Sequence, residues 1–197
     1  MDTDAIAPAL DTEGATSPEE LFHLFALAQC VRDGCIVEVG SWRGRSTVAL
    51  ALGSRRAYKV PVYAIEPHEN FHDICGGNYG STDRVKFFEN VLKAGVLDIV
   101  RLVNLSSEFV TGSWPMSIGL LWIDGDHSYR AVKRDITCWL PHLRPDATVA
   151  FHDALEPRLG PYHVVEELMR SGQWQRGPEV RKIKTLMRMP QDTIEMG

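Results

Sequence analysis

The chain has 197 residues, of which 44% are hydrophobic and 24% charged, with a formal net charge of −5. That length supports one substantial core rather than two domains, and the acidic balance argues against nucleic acid as the main partner, because phosphate binding needs concentrated Lys and Arg. No apolar run reaches the about 18 residues of a membrane span, and the opening MDTDAIAPAL lacks a basic segment followed by an apolar one. A cytoplasmic protein with no membrane partner is therefore expected. Cys30, Cys35, Cys75 and Cys138 contain no CxxC pair and read as small buried thiols of a reducing compartment.

Residues 1–15 are small, polar and acidic, and are expected to be loose; a single domain is expected over 16–197. Ser17-Pro18-Glu19-Glu20 opens a helix, with Ser17 as cap, Pro18 at the first helical position and Glu20 at the third. Leu21, Leu24, Phe25, Leu27 and Ala28 form its apolar face, and Asp33-Gly34 ends it. Ile36 to Val39 is a short apolar strand interrupted only by Glu38. A glycine turn and a helix carrying Val48, Ala49, Leu50 and Leu52 follow. Residues 60–65 form a second strand that stops at Glu66. The loop 67–81 is rich in Gly, His, Asn and aromatic residues, and its length is itself a sign of function.

Further on, a helix over 83–94 sets Val85, Phe88 and Leu92 on one face. A strand at 100–103 and a short helix at 106–114 come next. The strand 118–123 leads into a helix over 128–140, with Tyr129, Val132, Ile136 and Leu140 in register. The strand 147–151 ends at His152-Asp153, and a helix spans 162–170. Strands at 173–175 and 183–189 close the chain, joined by a turn around Gly177-Pro178. Alternating strands and helices predict an α/β fold with a doubly wound, mostly parallel sheet, and the closing strand–turn–strand predicts an antiparallel edge. Ligands of such sheets sit at the carboxyl ends of the strands. Those ends carry Glu38 to Gly40, Glu66, Asn104, Asp124 and His152-Asp153 on one rim.

The first turn, Glu38-Val39-Gly40-Ser41-Trp42-Arg43-Gly44, has the form E-x-G-x-x-x-G. It lacks the glycine offsets of a dinucleotide site, which disfavours an NAD-dependent oxidoreductase. Glycines there let the backbone pass close to a ligand at a helix N-terminus, although a plain tight turn accounts for them equally well. Glu38 would repel phosphate and attract an ammonium group. Glu66 is placed to accept hydrogen bonds from ribose hydroxyls. The combination fits a nucleoside with a cationic amino-acid tail and no phosphate, as in S-adenosylmethionine.

The segment LLWIDGDHSY, Leu120 to Tyr129, carries the other chemistry. Asp124, His152 and Asp153 sit at strand ends that should be neighbours. Two carboxylates and an imidazole suit a divalent cation, Mg²⁺ or Mn²⁺. Whether His152 is itself a ligand or stands behind one is open. His127, with an ordinary pKa near ~6.5, is the candidate general base, its alternative being a helix cap or a surface residue. Asp126 either caps the helix beginning near Ser128 or joins the metal. Tyr129, His23, His142 and His163 read as packing or surface residues, and Arg181, Lys182 and Lys184 as a solvated face. The loop 67–81 is either an ordinary loop or an acceptor lid. His68, Asn70, Phe71, His72, Asn78 and Tyr79 would suit a sugar, with Gly76, Gly77 and Gly80 allowing movement.

IVEVGSWRGRSTVAL, VYAIEP, LLWIDGDHSYRAVKRDI and VAFHDA together resemble the class I S-adenosylmethionine-dependent methyltransferases. Among these the chain is similar to the small metal-dependent O-methyltransferases that act on sugar hydroxyls, the macrocin type, over roughly residues 16 to 190. D-G-D-H-x-Y is the most specific of the shared segments. The resemblance implies a three-layer, Rossmann-like fold with a seven-stranded, mostly parallel sheet and an antiparallel last strand. It places Gly40, Ser41 and Gly44 in the cofactor turn, Ser46 near the helix start, Glu66 on the ribose, and Ser106 or Ser107 near the adenine. It also implies a carbohydrate acceptor. Many relatives self-associate, so a homodimer is compatible with the sequence, with the N-terminal helix or the loop 67–81 as its contact. A catechol or other phenol as acceptor, and a non-catalytic cofactor-binding module, are the alternatives.

Overall fold

A computed structural model of the protein describes residues 3–189. The chain opens with a 3₁₀ turn (Thr3–Ile6), α1 (Ala7–Leu10) and α2 (Pro18–Cys30), then β1 (Cys35–Val39), α3 (Arg45–Arg56) and β2 (Val62–Ile65). The strands β3 (Phe71–His72) and β4 (Asn78–Tyr79) form a small antiparallel hairpin. There follow α4 (Ser81–Lys93), β5 (Val100–Val103), α5 (Ser107–Thr111), β6 (Ile118–Ile123), α6 (Tyr129–Trp139) and β7 (Leu143–Phe151). The described chain closes with α7 (Gly160–Arg170), β8 (Trp174–Val180) and β9 (Ile183–Arg188).

The main sheet has the order β5-β2-β1-β6-β7-β9-β8. Its first five strands run parallel, and β9 runs antiparallel to both β7 and β8. This is the seven-stranded, mostly parallel Rossmann-like sheet expected. Strand order reverses between β1 and β6, so the crevice for a ligand opens above their carboxyl ends.

Period-two alternation sorts each strand onto two cores. Ile36, Val62, Leu120, Trp122 and Ala150 face the layer of α2 and α3. Val37, Val39, Leu121, Ile123, Val149 and Phe151 face α6 and α7. No helix among the described residues is long and apolar enough to cross a membrane. The start of α2 is the capping box foreseen: Ser17 Oγ accepts from Glu20 N–H at 3.4 Å, and Glu20 Oε2 accepts from Ser17 N–H at 2.7 Å.

Several expectations are corrected. The N-terminal segment is not loose from residue 3 onward: Ile6 and Ala9 are fully buried. Arg45 on α3 secures the stretch after α1, donating to the carbonyls of Thr16 at 2.9 Å, Leu10 at 3.1 Å and Thr12. The acidic composition hides two apolar residues at helical spacing and a cation that satisfies the backbone beyond them. The closing turn is not at Gly177-Pro178. Both residues lie within β8, where the register shifts between Arg176 and Glu179, and Arg181 with φ of +53° takes the turn instead. Proline is tolerated there because β8 is an edge strand. On α4 the core takes Phe87 and Val91, leaving Val85, Phe88 and Leu92 exposed. Of the cysteines, all free, only Cys35 is fully buried; Cys30 and Cys75 are exposed and Cys138 is intermediate.

Candidate active site

Above the switch point lies a cavity of about 440 Å³, within the range of small-molecule sites. The strand ends line it with Val39 and Gly40 from β1, Ile65 and Glu66 from β2, Asp124 to His127 after β6, and His152 and Asp153 after β7. Ser41 and Trp42 come from the first turn, Ser46 from the first turn of α3, Ser106 and Ser107 from the start of α5, and Asn70, Phe71 and Tyr79 from the hairpin segment. Of the expected site residues, Glu38, Gly44 and Asn104 are absent from the lining, and of the loop residues expected to meet a sugar, His68, His72 and Asn78 are absent while Asn70, Phe71 and Tyr79 are present.

Glu38 shows why. Alternation along β1 turns it to the α2–α3 side, where it is fully buried and accepts hydrogen bonds from Ser46 Oγ and Thr47 Oγ1. Burial outweighs those bonds and, with the nearby charges of Asp124 and Glu66, pushes its pKa to about 8. It tethers the start of α3 as a largely neutral carboxyl and does not offer the cavity a charge. Gly44, with φ of +87°, starts α3 against Phe87. Gly40 does meet the site: with φ of +85°, a Cβ there would fall 2.3 Å from the Asp124 carbonyl oxygen. Only glycine lets β1 and β6 end this close together.

At the cofactor end, Glu66 is clamped by backbone. Its carboxylate accepts from Trp42 N–H at 3.2 Å and His68 N–H at 2.9 Å, leaving further lone pairs beside the cavity. Asn104 does not reach the lining; its amide donates to the Glu66 and Pro67 carbonyls at 2.7 and 2.6 Å and fixes that strand end. Ser41 Oγ is buried and has no hydrogen-bond partner among the described residues. A buried orphan hydroxyl beside Glu66 fits a polar ligand supplying the missing bond. Ser107 Oγ accepts from Trp139 Nε1 at 3.0 Å. Beside it stands Asp135, which sequence reasoning missed. It is buried on α6, and burial lifts its pKa to about 6. The available signal was an acid directly before Ile136 on an otherwise apolar face.

At the chemical end, Nδ1 of His152 lies 3.0 Å from both Asp124 Oδ1 and Asp153 Oδ2. Nε2 of His127 lies 3.2 Å from Asp153 Oδ2. One donor atom from each of these four residues lies within 4.8 Å of all the others. Edges of about 3.0 Å are those of an octahedron with ~2.1 Å bonds, so the donor set fits a divalent cation that takes oxygen and imidazole ligands. Asp153 adopts φ of +50°, a strained backbone of the kind kept at functional sites.

The charges are strongly coupled. Burial alone would depress His152, but Asp124, Asp153 and Glu20 overcome it and raise the pKa to about 12. Burial would likewise lower His127, yet Asp153, Asp73 and Asp124 raise it to about 9. Asp153, despite its burial, is held far below the ordinary carboxylate range by His127, His152 and Lys182. Nδ1 of His152 thus bridges the two carboxylates.

Three more residues here went unrecognised in the sequence. Glu20, read only as a cap, places Oε1 3.5 Å from His152 Nε2 and also accepts from Lys182 N–H at 2.9 Å. Glu20 thus stands at the ring nitrogen opposite the one that meets Asp124 and Asp153, and a carboxylate so placed orients the imidazole. Of the basic cluster, Arg181 and Lys182 are exposed, as a solvated face requires, but Lys182 Nζ is 3.0 Å from Asp153 Oδ1 and Lys184 is buried. Asp73, in the hairpin, contacts His127. Asp126 behaves as a local cap, with Oδ1 accepting from Ser128 N–H at 2.7 Å. Tyr129 is exposed and donates to Glu167 at 2.8 Å.

Residues 37–154 match the model of a family described as a methyltransferase domain. The chain belongs to this methyltransferase family. Solved structures with the same fold include the O-methyltransferase NovP, with TM-score 0.72 and 16% identity over 89% of this chain and 83% of that one. The O-methyltransferase TomG of Streptomyces achromogenes, described in complex with S-adenosylmethionine, gives a TM-score of 0.68 and 17% identity, covering 97% of this chain and 92% of its own. CalS11, described as a TDP-rhamnose 3'-O-methyltransferase, gives 0.62 and 14% identity over 85% of this chain and 76% of that one. At such identities the likeness is one of fold. The matched segment of this methyltransferase runs from β1 to the residue after Asp153, and so contains both ends of the rim.

Proposed function

We propose that this methyltransferase uses S-adenosylmethionine to methylate a carbohydrate hydroxyl, on a mannoside, polysaccharide or other glycoside. A divalent cation, Mg²⁺ or Mn²⁺, would be held by Asp124, His152 and Asp153. The observation that carries the reading is the meeting of those three donors with His127 Nε2, 3.2 Å from Asp153, in the cavity that also holds Glu66. The cofactor supplies a methyl carbon activated by a sulfonium, and the cation supplies Lewis acidity that lowers the pKa of a hydroxyl beside it.

The protein's own residues do the remainder. Glu66, held by two backbone N–H groups, accepts from the ribose hydroxyls. Ser107 and Asp135 border the adenine, and the free Ser41 hydroxyl with the bare Gly40 backbone receives the amino-acid tail. Asn70, Phe71 and Tyr79 offer the acceptor an amide and two aromatic faces. A cation held by Asp124 and Asp153 would offset the carboxylate charges that raise the His127 pKa, and the neutral ring would then remove the hydroxyl proton at Nε2. S-adenosylmethionine held by these residues would supply the methyl group to the acceptor oxygen, its sulfonium leaving as a neutral thioether. No covalent enzyme intermediate is needed, so catalysis is positioning joined to proton transfer. The sugar-directed description of CalS11 and the polar hairpin support a carbohydrate acceptor.

The test is transfer of labelled methyl from S-adenosylmethionine to a panel of mannosides, glucosides, deoxysugar glycosides and catechols. His127→Ala is expected to lower turnover by ~10²–10⁴-fold. Methylation of catechols alone would replace the carbohydrate reading by a phenol one. Cofactor binding with no transfer to any acceptor would make the protein a binding module.

A further inference from the structure

Within the hairpin one residue behaves unlike its neighbours. Phe71 and Ile74 are 39% and 62% exposed, and Cys75 is exposed, while Asp73 between them is 1% exposed. Its two carboxylate oxygens have different partners. Oδ1 accepts from Cys75 N–H at 2.6 Å and closes the local turn, which is also pinned by Asp73 N–H donating to the Gly77 carbonyl at 2.9 Å. Oδ2 leaves the hairpin and reaches His127, 3.0 Å from Nδ1 and 3.3 Å from the backbone N. An ionised carboxylate only accepts hydrogen bonds, so Nδ1 of His127 carries a proton toward Asp73. Nε2, buried and with no hydrogen-bond partner among the described residues, is left on the cavity side, 3.2 Å from Asp153 Oδ2.

We propose that Asp73 is the positioning residue of the general base: the hairpin delivers a carboxylate that fixes the His127 ring with Nδ1–H turned to Asp73 and Nε2 facing the acceptor. The inference rests on the reading of His127 as base. It adds that the base is assembled from two parts of the fold. The imidazole follows β6, on the rigid core. The carboxylate that orients it belongs to the hairpin over the acceptor end. The base and the group that orients it are thus joined only through the Asp73 contact between these two segments. The arrangement follows the general logic of a base oriented by a third group.

The experiment compares wild type with Asp73→Asn and Asp73→Ala, each loaded with S-adenosylhomocysteine and Mg²⁺. Asparagine keeps an oxygen for the Cys75 N–H, so a purely structural role of the turn survives in it. It cannot hold Nδ1–H as a carboxylate does. The first readout is the ¹⁵N NMR signature of the His127 ring, assigned with His127→Ala, at a pH where the ring is neutral. It requires no acceptor. Expected are the Nδ1–H tautomer in wild type and a mixture or the opposite tautomer in Asp73→Asn. The second readout is methyl transfer, with kcat lower by ~10–100-fold in both variants and the acceptor KM, the S-adenosylhomocysteine Kd and the thermal midpoint nearly unchanged. An unaltered tautomer, or kcat within twofold of wild type in Asp73→Asn, would overturn the proposal. A fall in Mg²⁺ affinity matching the fall in kcat would overturn it too, because His127 would then act as a ligand. Full activity of His127→Ala would instead defeat the underlying reading of the base, while the NMR arm would still report the Asp73 contact.

Discussion

Nδ1 of His152 stands 3.0 Å from Oδ1 of Asp124, a contact between residues that follow two different strands, β6 and β7. The parallel register that pairs Ile123 with Phe151 brings the two strand ends level, so the acid and the imidazole meet without any loop to adjust them. Removing Asp124 strips one donor and leaves Glu66, Ser41 and Ser107 in place. Asp124→Ala is expected to weaken Mn²⁺ or Mg²⁺ binding by at least ~10-fold. The affinity for S-adenosylhomocysteine should stay within about threefold. Calorimetric titration of each ligand checks both. EDTA should abolish methyl transfer and added Mg²⁺ or Mn²⁺ restore it; activity indifferent to chelation would remove the cation from the reading.

Gly40 carries a conformational demand that no other residue meets cheaply. Its φ of +85° and the 2.3 Å approach of a built Cβ to the Asp124 carbonyl oxygen both penalise a side chain. Gly40→Ala is expected to cost about 2 kcal/mol or more of stability and to spread β1 from β6. Urea denaturation measures the first effect. Weakened binding of both S-adenosylhomocysteine and Mn²⁺ reports the second.

Glu38 predicts a pH dependence of stability. Its folded-state pKa of about 8 lies above the ordinary 4.5. Between those values the native state binds the extra proton, so stability falls as pH rises through that window. Glu38→Gln removes the titration and keeps an acceptor for Ser46 and Thr47. The thermal midpoint of the wild type should drop more steeply between pH 5 and 8 than that of the variant, by on the order of 5 °C. Parallel curves would place the proton elsewhere.

Arg45 ties the N-terminal segment to the cofactor end, because its carbonyl partners at Leu10, Thr12 and Thr16 flank Gly14, Ala15 and Thr16 on the cavity wall. Arg45→Ala leaves those carbonyls without their donor, at a cost of about 1–3 kcal/mol each where they stay buried. The segment should then become sensitive to limited proteolysis and the cofactor Kd rise several-fold. Unchanged protection of residues 10–16 would show that α1 alone anchors it.

The broad architecture was legible because it rests on local signals. The strand at Ile118–Ile123, the strand at Val100–Val103 and the capping box at Ser17 and Glu20 were read directly from apolar period, β-branched runs and cap chemistry. Errors arose where a long-range partner overrides local preference. Pro178 reads as a turn, yet an edge strand accommodates it in β8. The Val85, Phe88 and Leu92 face is as apolar as its neighbour, and only the packed fold selects Phe87 and Val91 for the core.

The same division holds for the site. Acids and histidines that terminate apolar strands have few structural uses, and those picked out in the sequence on that ground, Glu66, Asp124, His127, His152 and Asp153, all line the cavity. Only the tertiary structure decided what faces what. Alternation along β1 took Glu38 out of the cavity, while Glu20, Asp73, Asp135 and Lys182 entered the site from segments that look like a cap, a loop, a helix face and a surface cluster. Their roles depend on contacts such as Asp73 to His127, 54 positions apart in the chain. Residue type and spacing carry no record of such a contact, because it exists only once the sheet has brought the strand ends to one rim and the hairpin has closed over them.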